Sequence, residues 1–160
     1  MVSIKTLQAT QTADFVRLFE YVKLVRKELG KKKAWKLLEQ SVTKRRINWC
    51  QSSDLSNIEG TPVEKAYELF FLRYLRIPPE QVPIVKKTDR KIAFKSYNFC
   101  PTLEACKILG LDTRIVCKNA YEHPTQAFFS QINPKLRFER NYECIRPHSE
   151  YCEEIIKLEE

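Results

Sequence analysis

Hydrophobic residues recur at helical spacing along the first 50 residues and predict a pair of helices. Residues 12–29 carry an apolar stripe, with Thr12 as a suitable N-cap and Gly30 as a stop signal. Residues 31–49 repeat the pattern, with apolar side chains along one side and basic side chains over the remainder. The single glycine between the two segments predicts an antiparallel helical hairpin.

A third helix is predicted where the chain carries a strong N-terminal signal. Thr61, Pro62 and Glu64 supply the N-cap, first-turn proline and third-position carboxylate of a capping box. The helix runs to about Arg76 and ends before Pro78, because proline disfavours helix in the residue that precedes it. Apolar residues cover most of its circumference, which predicts a buried central helix.

From residue 82 onward the hydrophobic period changes from helical to alternating. The predicted strands are residues 82–87, 91–99, 136–142 and 151–158. Helices are predicted between the two strand pairs, and Pro124 is expected to break or restart the last of them, because proline is acceptable at the first helical position. This order predicts an α+β fold, in which an N-terminal helical hairpin and a buried third helix pack on an antiparallel sheet of about four strands built from two hairpins.

Length and composition predict a single domain. The chain has 160 residues, of which 43% are hydrophobic and 30% charged, as is ordinary for a folded protein. We divide it into a helical half, residues 1–80, and a cysteine-rich α+β half, residues 81–160. No apolar run approaches the ~20 residues of a membrane span, and the N-terminus lacks the features of a signal peptide. We therefore expect a cytoplasmic protein with no membrane partner and with reduced cysteines.

The positive charge of the chain is concentrated in its first third. Residues 1–50 hold 12 Lys and Arg against 4 Asp and Glu, whereas residues 51–160 hold 16 of each class. A solvated helical face is the common reason for such a bias. A surface for nucleic acid or another polyanion is the alternative, but no known reader motif accompanies these residues, so nucleic acid is not the favoured partner.

The cysteines of the second half mark the candidate site. Cys100 precedes Pro101 at the predicted start of a short helix that ends at Gly110, which places it at the N-cap. Backbone amides and the helix dipole converge there, and both favour thiolate over thiol. We therefore predict a reactive thiolate at Cys100, with packing beneath the sheet as the alternative.

Three further residues are candidates for proton transfer or ligand binding. Glu104 lies one helical turn after Cys100 and is interpreted as an acid, base or orienting group, or else as a solvated first-turn acid. His123 and His148 are the only histidines, and each is a candidate proton carrier or ligand contact. The cysteines lack the CxxC spacing of structural zinc sites, so spacing alone gives no support for a metal.

The second half also carries residues that resemble a known family. They are Cys100-Pro101, Glu104, Leu109-Gly110-Leu111, Cys117, Asn133-Pro134, Phe138, Arg140, and Cys152 followed by an acidic residue and an apolar strand. Over about residues 95–158 this pattern resembles the L-2-amino-thiazoline-4-carboxylic acid hydrolase-like family and the related 4-vinyl reductase-type small-molecule-binding domains. The resemblance implies a helical first half, an α+β second half, and cysteines in or near a pocket.

In the hydrolase the implied reaction is ring opening of a thiazoline by water, and in the vinyl reductase-like domains it is binding of a small ligand or a metal. Residue by residue, the matching positions are Cys100, Glu104, Cys117 and Cys152. The Gly-Asp that precedes the last cysteine in the family is replaced here by His148-Ser149.

The first functional expectation is hydrolysis of a C–N bond at a cysteine-rich site. Cys100, Cys117 and Cys152 would form a thiolate site and Glu104 would move protons. These three cysteines are also candidate ligands of a metal, with zinc as the metal that thiolates suit. Whether the protein is an enzyme at all is left open.

The alternative is a non-catalytic domain that binds a small molecule or a metal, or that senses redox state. The candidate ligand contacts are Tyr74, Tyr97, His123 and His148. A second alternative is polyanion or nucleic-acid binding through the basic N-terminal helices. A homodimer is also left open.

Overall fold

The computed structural model describes residues 2–160 and places them in six α-helices and a four-stranded sheet. The helices are α1 (Ile4–Leu29), α2 (Lys31–Gln51), α3 (Pro62–Tyr67), α4 (Pro101–Leu109), α5 (Thr113–Cys117) and α6 (His123–Ile132). The strands are β1 (Ile84–Thr88), β2 (Lys91–Ser96), β3 (Leu136–Asn141) and β4 (Cys152–Leu158). The predicted α+β class is confirmed.

Two π-helical turns and one 3-10 turn complete the regular structure. The first π-turn (Glu68–Tyr74) extends α3, and the second π-turn (Lys118–Glu122) joins α5 to α6. The 3-10 turn spans Pro79–Gln81 and precedes β1. No helix within residues 2–160 has both the length and the apolarity needed to span a bilayer.

The helical hairpin forms at Gly30, but α1 begins earlier than its sequence pattern predicts. Its N-cap is Ser3, whose side chain accepts a hydrogen bond from the Thr6 amide at 3.1 Å, and not Thr12. The additional turns are largely solvent-exposed, so few core contacts mark them in the hydrophobic pattern. Gly30 has φ of 87°, a conformation that favours glycine, and it connects α1 directly to α2.

The capping box at the start of α3 forms as predicted. The Thr61 side chain accepts from the Glu64 amide, and the Glu64 carboxylate accepts from the Thr61 amide at 2.7 Å. The Glu64 carboxylate also forms an ion pair with Lys87 of β1. This contact ties the start of the central helix to the edge of the sheet.

Glu64→Gln is expected to reduce the loss of unfolding free energy that the protein shows as the pH becomes acidic. The Lys87 ammonium, and after it the Thr61 amide, lower the pKa of Glu64 from 4.5 to about 2. The pKa in the unfolded chain is about 4.3, so the stabilisation is complete above that pH and is lost as the pH falls through about 2. Urea denaturation at several pH values across this window measures the effect.

Glu59→Gln is the matched control, because Glu59 is an exposed carboxylate just before the same helix. The control should keep the wild-type loss of unfolding free energy between about pH 4 and about pH 2. If Glu64→Gln keeps that loss as well, Glu64 is not its source.

The sheet has the order β1-β2-β4-β3, and all neighbouring strands are antiparallel. The two hairpins therefore meet at β2 and β4, which pair over their whole length from Lys91↔Lys157 to Ser96↔Cys152. Strand β1 lies at one edge of the sheet, and its residues are exposed throughout. The chain between β3 and β4 forms a long loop at the end of the sheet where Cys152 lies.

Pro124 restarts the helix and does not break it, which is the second of the two outcomes predicted for it: α6 begins at His123 with Pro124 in its first turn. From Thr113 to Ile132 the chain stays helical, because the second π-turn connects α5 and α6 without a gap. Proline lacks an amide hydrogen and its ring crowds the preceding turn of an α-helix. The wider π-turn directly before it accommodates the ring, so the helix continues.

Two apolar clusters form the interior. The first packs α3 and the first π-turn against α6 and the sheet, with Phe70, Phe128 and Phe129 among its buried rings. The second packs the α1–α2 hairpin against α4 and the second π-turn, around Phe19 and Tyr121. Arg46, described next, lies against a ring of each cluster.

Candidate functional site

Arg46 of α2 is a buried guanidinium between the two apolar clusters. Its side chain lies over the Phe70 ring at 4.9 Å and over the Tyr121 ring at 5.7 Å, and the residue is only 8% exposed. Its Nη1 donates to the Tyr121 carbonyl at 3.2 Å and to Thr125 Oγ1 at 2.6 Å. Its buried Nε has no hydrogen-bond partner.

Arg46 also lacks a counter-charge. No carboxylate in residues 2–160 lies within ion-pair distance of it. Burial lowers its pKa to about 10, and nearby Arg140 acts in the same direction, whereas Tyr74 and Tyr121 oppose the shift. Arg46 therefore remains protonated at neutral pH, and an uncompensated charge of this kind costs several kcal/mol to bury.

Arg140 of β3 lies nearby but is neutralised by Glu154 of β4. These residues are direct cross-strand partners, so their side chains share one face of the sheet. Arg140 donates through Nε at 3.0 Å and Nη2 at 2.6 Å to Glu154 Oε1, and Ser96 Oγ donates to Oε2 at 2.8 Å. The remaining Arg140 Nη1 is buried without a partner.

Cys117 lies beside Arg140, and three other thiols lie near Cys117. Burial raises the pKa of Cys117 to about 12, with nearby Cys100, Cys152 and Cys106 acting in the same direction and Arg140 against it. Cys106 is buried, whereas the other three are partly exposed. The fold thus brings cysteines from the start of α4, the end of α5 and the start of β4 to one place.

Cys100 occupies the predicted N-cap of α4, but the prediction that it is a thiolate is wrong. Burial raises its pKa and outweighs the opposing effects of the Leu103 and Thr102 amides and of Arg146. The sulfur forms no capping hydrogen bond of normal geometry. At neutral pH Cys100 is therefore a protonated thiol.

Glu104 is a partly exposed acid on the outside of α4. Its carboxylate accepts from Lys107 Nζ at 2.8 Å and lines a surface groove between α1 and α4. That groove has a volume of about 530 Å³ and is lined mainly by α1. This position agrees with the alternative interpretation of Glu104 as a solvated first-turn acid, and its role as an acid, base or orienting group stays a prediction.

Both histidines lie at the surface, each beside a carboxylate. His123 Nδ1 is 3.3 Å from Glu39 Oε1, and His148 Nε2 is 3.4 Å from Asp112 Oδ1. Their side chains are largely exposed. The contacts of neither histidine include a cysteine, so the predicted ligand-binding roles of His123 and His148 do not coincide with the thiols.

The two tyrosines predicted as ligand contacts have different surroundings. Tyr74 packs against Trp49, with ring centroids 5.0 Å apart, and lies close to Arg46. Tyr97 is 41% exposed and its ring packs on Tyr151 at 5.6 Å. Tyr74 therefore borders the buried arginine, whereas Tyr97 belongs to the surface.

The predicted metal site does not form. Within residues 2–160 no group of three or more His, Cys, Asp and Glu side chains is arranged to hold a metal ion. Cys100, Cys117 and Cys152 are near one another but do not converge as ligands. The burial that raises the pKa of Cys100 and Cys117 also opposes the thiolate form that zinc requires.

Both π-turns contribute to the surroundings of Arg46. The first supplies Phe70 and Tyr74, and the second supplies Tyr121, whose carbonyl accepts from the guanidinium. Residues in π-helices are well under 1% of those in globular proteins, and π-turns are frequent at functional sites. Their meeting at one uncompensated charge marks this region as the candidate site.

Sequence reasoning missed the charged members of this site, although two signals were present. Arg46 continues the buried stripe of α2 that contains Leu38 and Val42. Glu154 lies between Cys152 and Ile156 on the inward face of β4. A charged residue at an inward position is unusual unless it is paired or functional.

Most basic residues of the helical hairpin remain at the surface. Arg17 pairs with Asp14 and Lys36 pairs with Glu39, whereas Arg46 turns inward. The interpretation of this surface as a polyanion-binding site stays a prediction.

Comparison with known proteins adds no relative to this picture. No family model matches the chain, and no curated protein matches it. The resemblance to the thiazoline hydrolase-like family therefore stays an expectation, and the functional argument depends on the geometry of the site.

Proposed function

We propose that this protein binds a small anionic molecule at an arginine centre formed by Arg46, Arg140 and Tyr121. The observation that carries the proposal is the buried, protonated Arg46 without a counter-charge. A bound anion would supply the missing charge and offset the cost of burying the guanidinium.

Unpartnered hydrogen-bond donors support the same proposal. Arg46 Nε, Arg140 Nη1 and the Tyr121 hydroxyl are all buried and have no partner. Buried polar groups are nearly always hydrogen-bonded, so several unpartnered donors in one region call for an explanation. A carboxylate or phosphate oxygen accepts several such bonds and would satisfy them together.

The thiols favour binding over the hydrolase alternative. Attack by sulfur requires thiolate, but burial raises the pKa of both Cys100 and Cys117. As protonated, weakly polar groups they suit the wall of a ligand site. Cys117 and Tyr142 lie near Arg140 and are partly exposed, so this region reaches the protein surface.

Arg46→Met is expected to abolish stabilisation of the protein by small anions. Wild-type protein should show a higher melting temperature with an anion that binds, since a ligand at 100 times its Kd adds about 2.7 kcal/mol to the free energy of unfolding. Differential scanning fluorimetry with propionate, benzoate, succinate and inorganic phosphate, at constant ionic strength, measures the shift.

Arg45→Met is the matched control, because it removes the same charge from an exposed position one residue away. The control should keep the wild-type shift with each anion. The proposal is wrong if no anion of the panel stabilises the wild type, or if Arg46→Met responds as the wild type does.

A further inference from the structure

We infer that the ligand carries two anionic groups, one held at Arg46 and Arg140 and the other at Arg146, with the thiols between them. This inference rests on the proposed function and specifies its ligand class as an elongated dianion such as a dicarboxylate. It depends on a further guanidinium, that of Arg146, which the arginine centre does not include.

Arg146 is a third guanidinium with unmet bonding capacity, after Arg46 and Arg140. It lies in the loop between β3 and β4, where its Nη1 donates to the Asn98 carbonyl at 2.8 Å. Its Nε is buried and has no partner. Across residues 2–160 no carboxylate lies within ion-pair distance of Arg146, so its charge is uncompensated like that of Arg46.

Strand β4 relates the position of Arg146 to that of Arg140. The Arg146 amide donates to Cys152 Sγ at 3.5 Å, and Arg140 binds Glu154. Cys152 and Glu154 are two residues apart on one strand, so their side chains share a face and are separated by about 7 Å. Arg140 and the backbone of Arg146 therefore contact the same face of β4, at positions about 7 Å apart.

Three of the thiols lie near one or both of the charged ends. Cys152 contacts the Arg146 amide, and Cys117 lies near Arg140. Cys100 is close to Arg146 and also to Tyr121 of the arginine centre. Protonated thiols are weakly polar, so the middle of the site suits the hydrocarbon part of a ligand.

The charges of the site favour a dianion over a monoanion. Arg140 and Glu154 neutralise each other. Among the buried guanidinium groups of this region, those of Arg46 and Arg146 therefore have no paired carboxylate. Glu122, the other carboxylate of this region, accepts a hydrogen bond from the Tyr142 hydroxyl and is partly exposed. A ligand with one charge would leave one of the two guanidiniums uncompensated.

The test compares dicarboxylates of increasing length, from malonate to pimelate, with monocarboxylates of the same length by isothermal titration calorimetry. We expect an optimum length within the series, at which the dicarboxylate binds roughly 10- to 100-fold more tightly than its monocarboxylate, because a second charged hydrogen-bonding group is engaged. Arg146→Met should reduce the dicarboxylate affinity to that of the monocarboxylate.

The outcomes separate this inference from the proposed function. If monocarboxylates bind and require Arg46, but dicarboxylates of every length bind no more tightly, the two-ended ligand is wrong and the proposed function stands. If Arg146→Met weakens both ligand classes equally, Arg146 acts on the fold of the site and the inference is also overturned. If no carboxylate or phosphate binds, both proposals are wrong.

Discussion

Glu154→Gln is expected to destabilise the protein by about 3–5 kcal/mol at neutral pH, because it removes one partner of a buried ion pair. The substitution leaves Arg140 without a counter-charge in a region where Arg46 already carries one uncompensated charge. It also weakens the acceptor of the Ser96 hydroxyl. Urea denaturation followed by circular dichroism measures the loss in the free energy of unfolding.

Glu153→Gln is the matched control for this experiment. Glu153 is adjacent on β4, but its carboxylate accepts from Asn141 at the exposed face of the sheet. An exposed substitution of this kind changes stability by no more than about 0.5 kcal/mol. A loss of similar size in both variants would contradict the special role of the Arg140–Glu154 pair.

A double variant, Arg140→Met with Glu154→Leu, keeps the test informative if Glu154→Gln does not fold. Replacing both members of a buried pair by apolar side chains is often neutral or stabilising. We therefore expect the double variant to be far more stable than Glu154→Gln. If it is equally unstable, packing and not charge determines the loss.

Local signals explain which parts of the fold could be predicted from the sequence. The capping box at Thr61 and Glu64 and the left-handed stop at Gly110 depend on neighbouring residues, and both form as predicted. The early start of α1 at Ser3 and the continuous helix through Pro124 do not follow from such signals. In the second case tertiary packing selects a π-turn, which no periodicity in the sequence marked.

The candidate site shows the same division between local position and environment. The place of Cys100 at the N-cap of α4 was predicted, because it depends on the adjacent Pro101. Its protonation state was not, because burial by distant parts of the chain outweighs the local amides. Arg46 and Glu154 escaped notice because charged residues were interpreted as solvated, although both lie at inward positions.

The arginine centre is consistent with a cost in stability that function would offset. Arg46 contacts a ring of each apolar cluster, and its charge is unpaired. Natural proteins retain such unfavourable groups mainly where activity requires them. For this reason we expect Arg46→Met to be as stable as the unliganded wild type or more stable, even as it loses anion binding.

Phe70→Ala is expected to cost about 3–5 kcal/mol, because it opens a cavity beneath the arginine centre. The Phe70 ring packs edge-on against Phe71, Phe128 and Phe129, with centroids 4.9, 5.0 and 5.5 Å away, and it carries the Arg46 guanidinium on its face. The substitution therefore removes both core volume and a buried cation–π contact. Urea denaturation of the variant measures the loss in unfolding free energy.

Tyr21→Ala is the control, because Tyr21 is a large aromatic residue that is 65% exposed on α1. Its loss should be within about 0.5 kcal/mol. The effect of Phe70→Ala should be smaller in the Arg46→Met background, because the contact between the two side chains is then already absent. If the losses of the two substitutions add without any coupling, the Phe70 ring stabilises the core alone and the arginine centre does not depend on it.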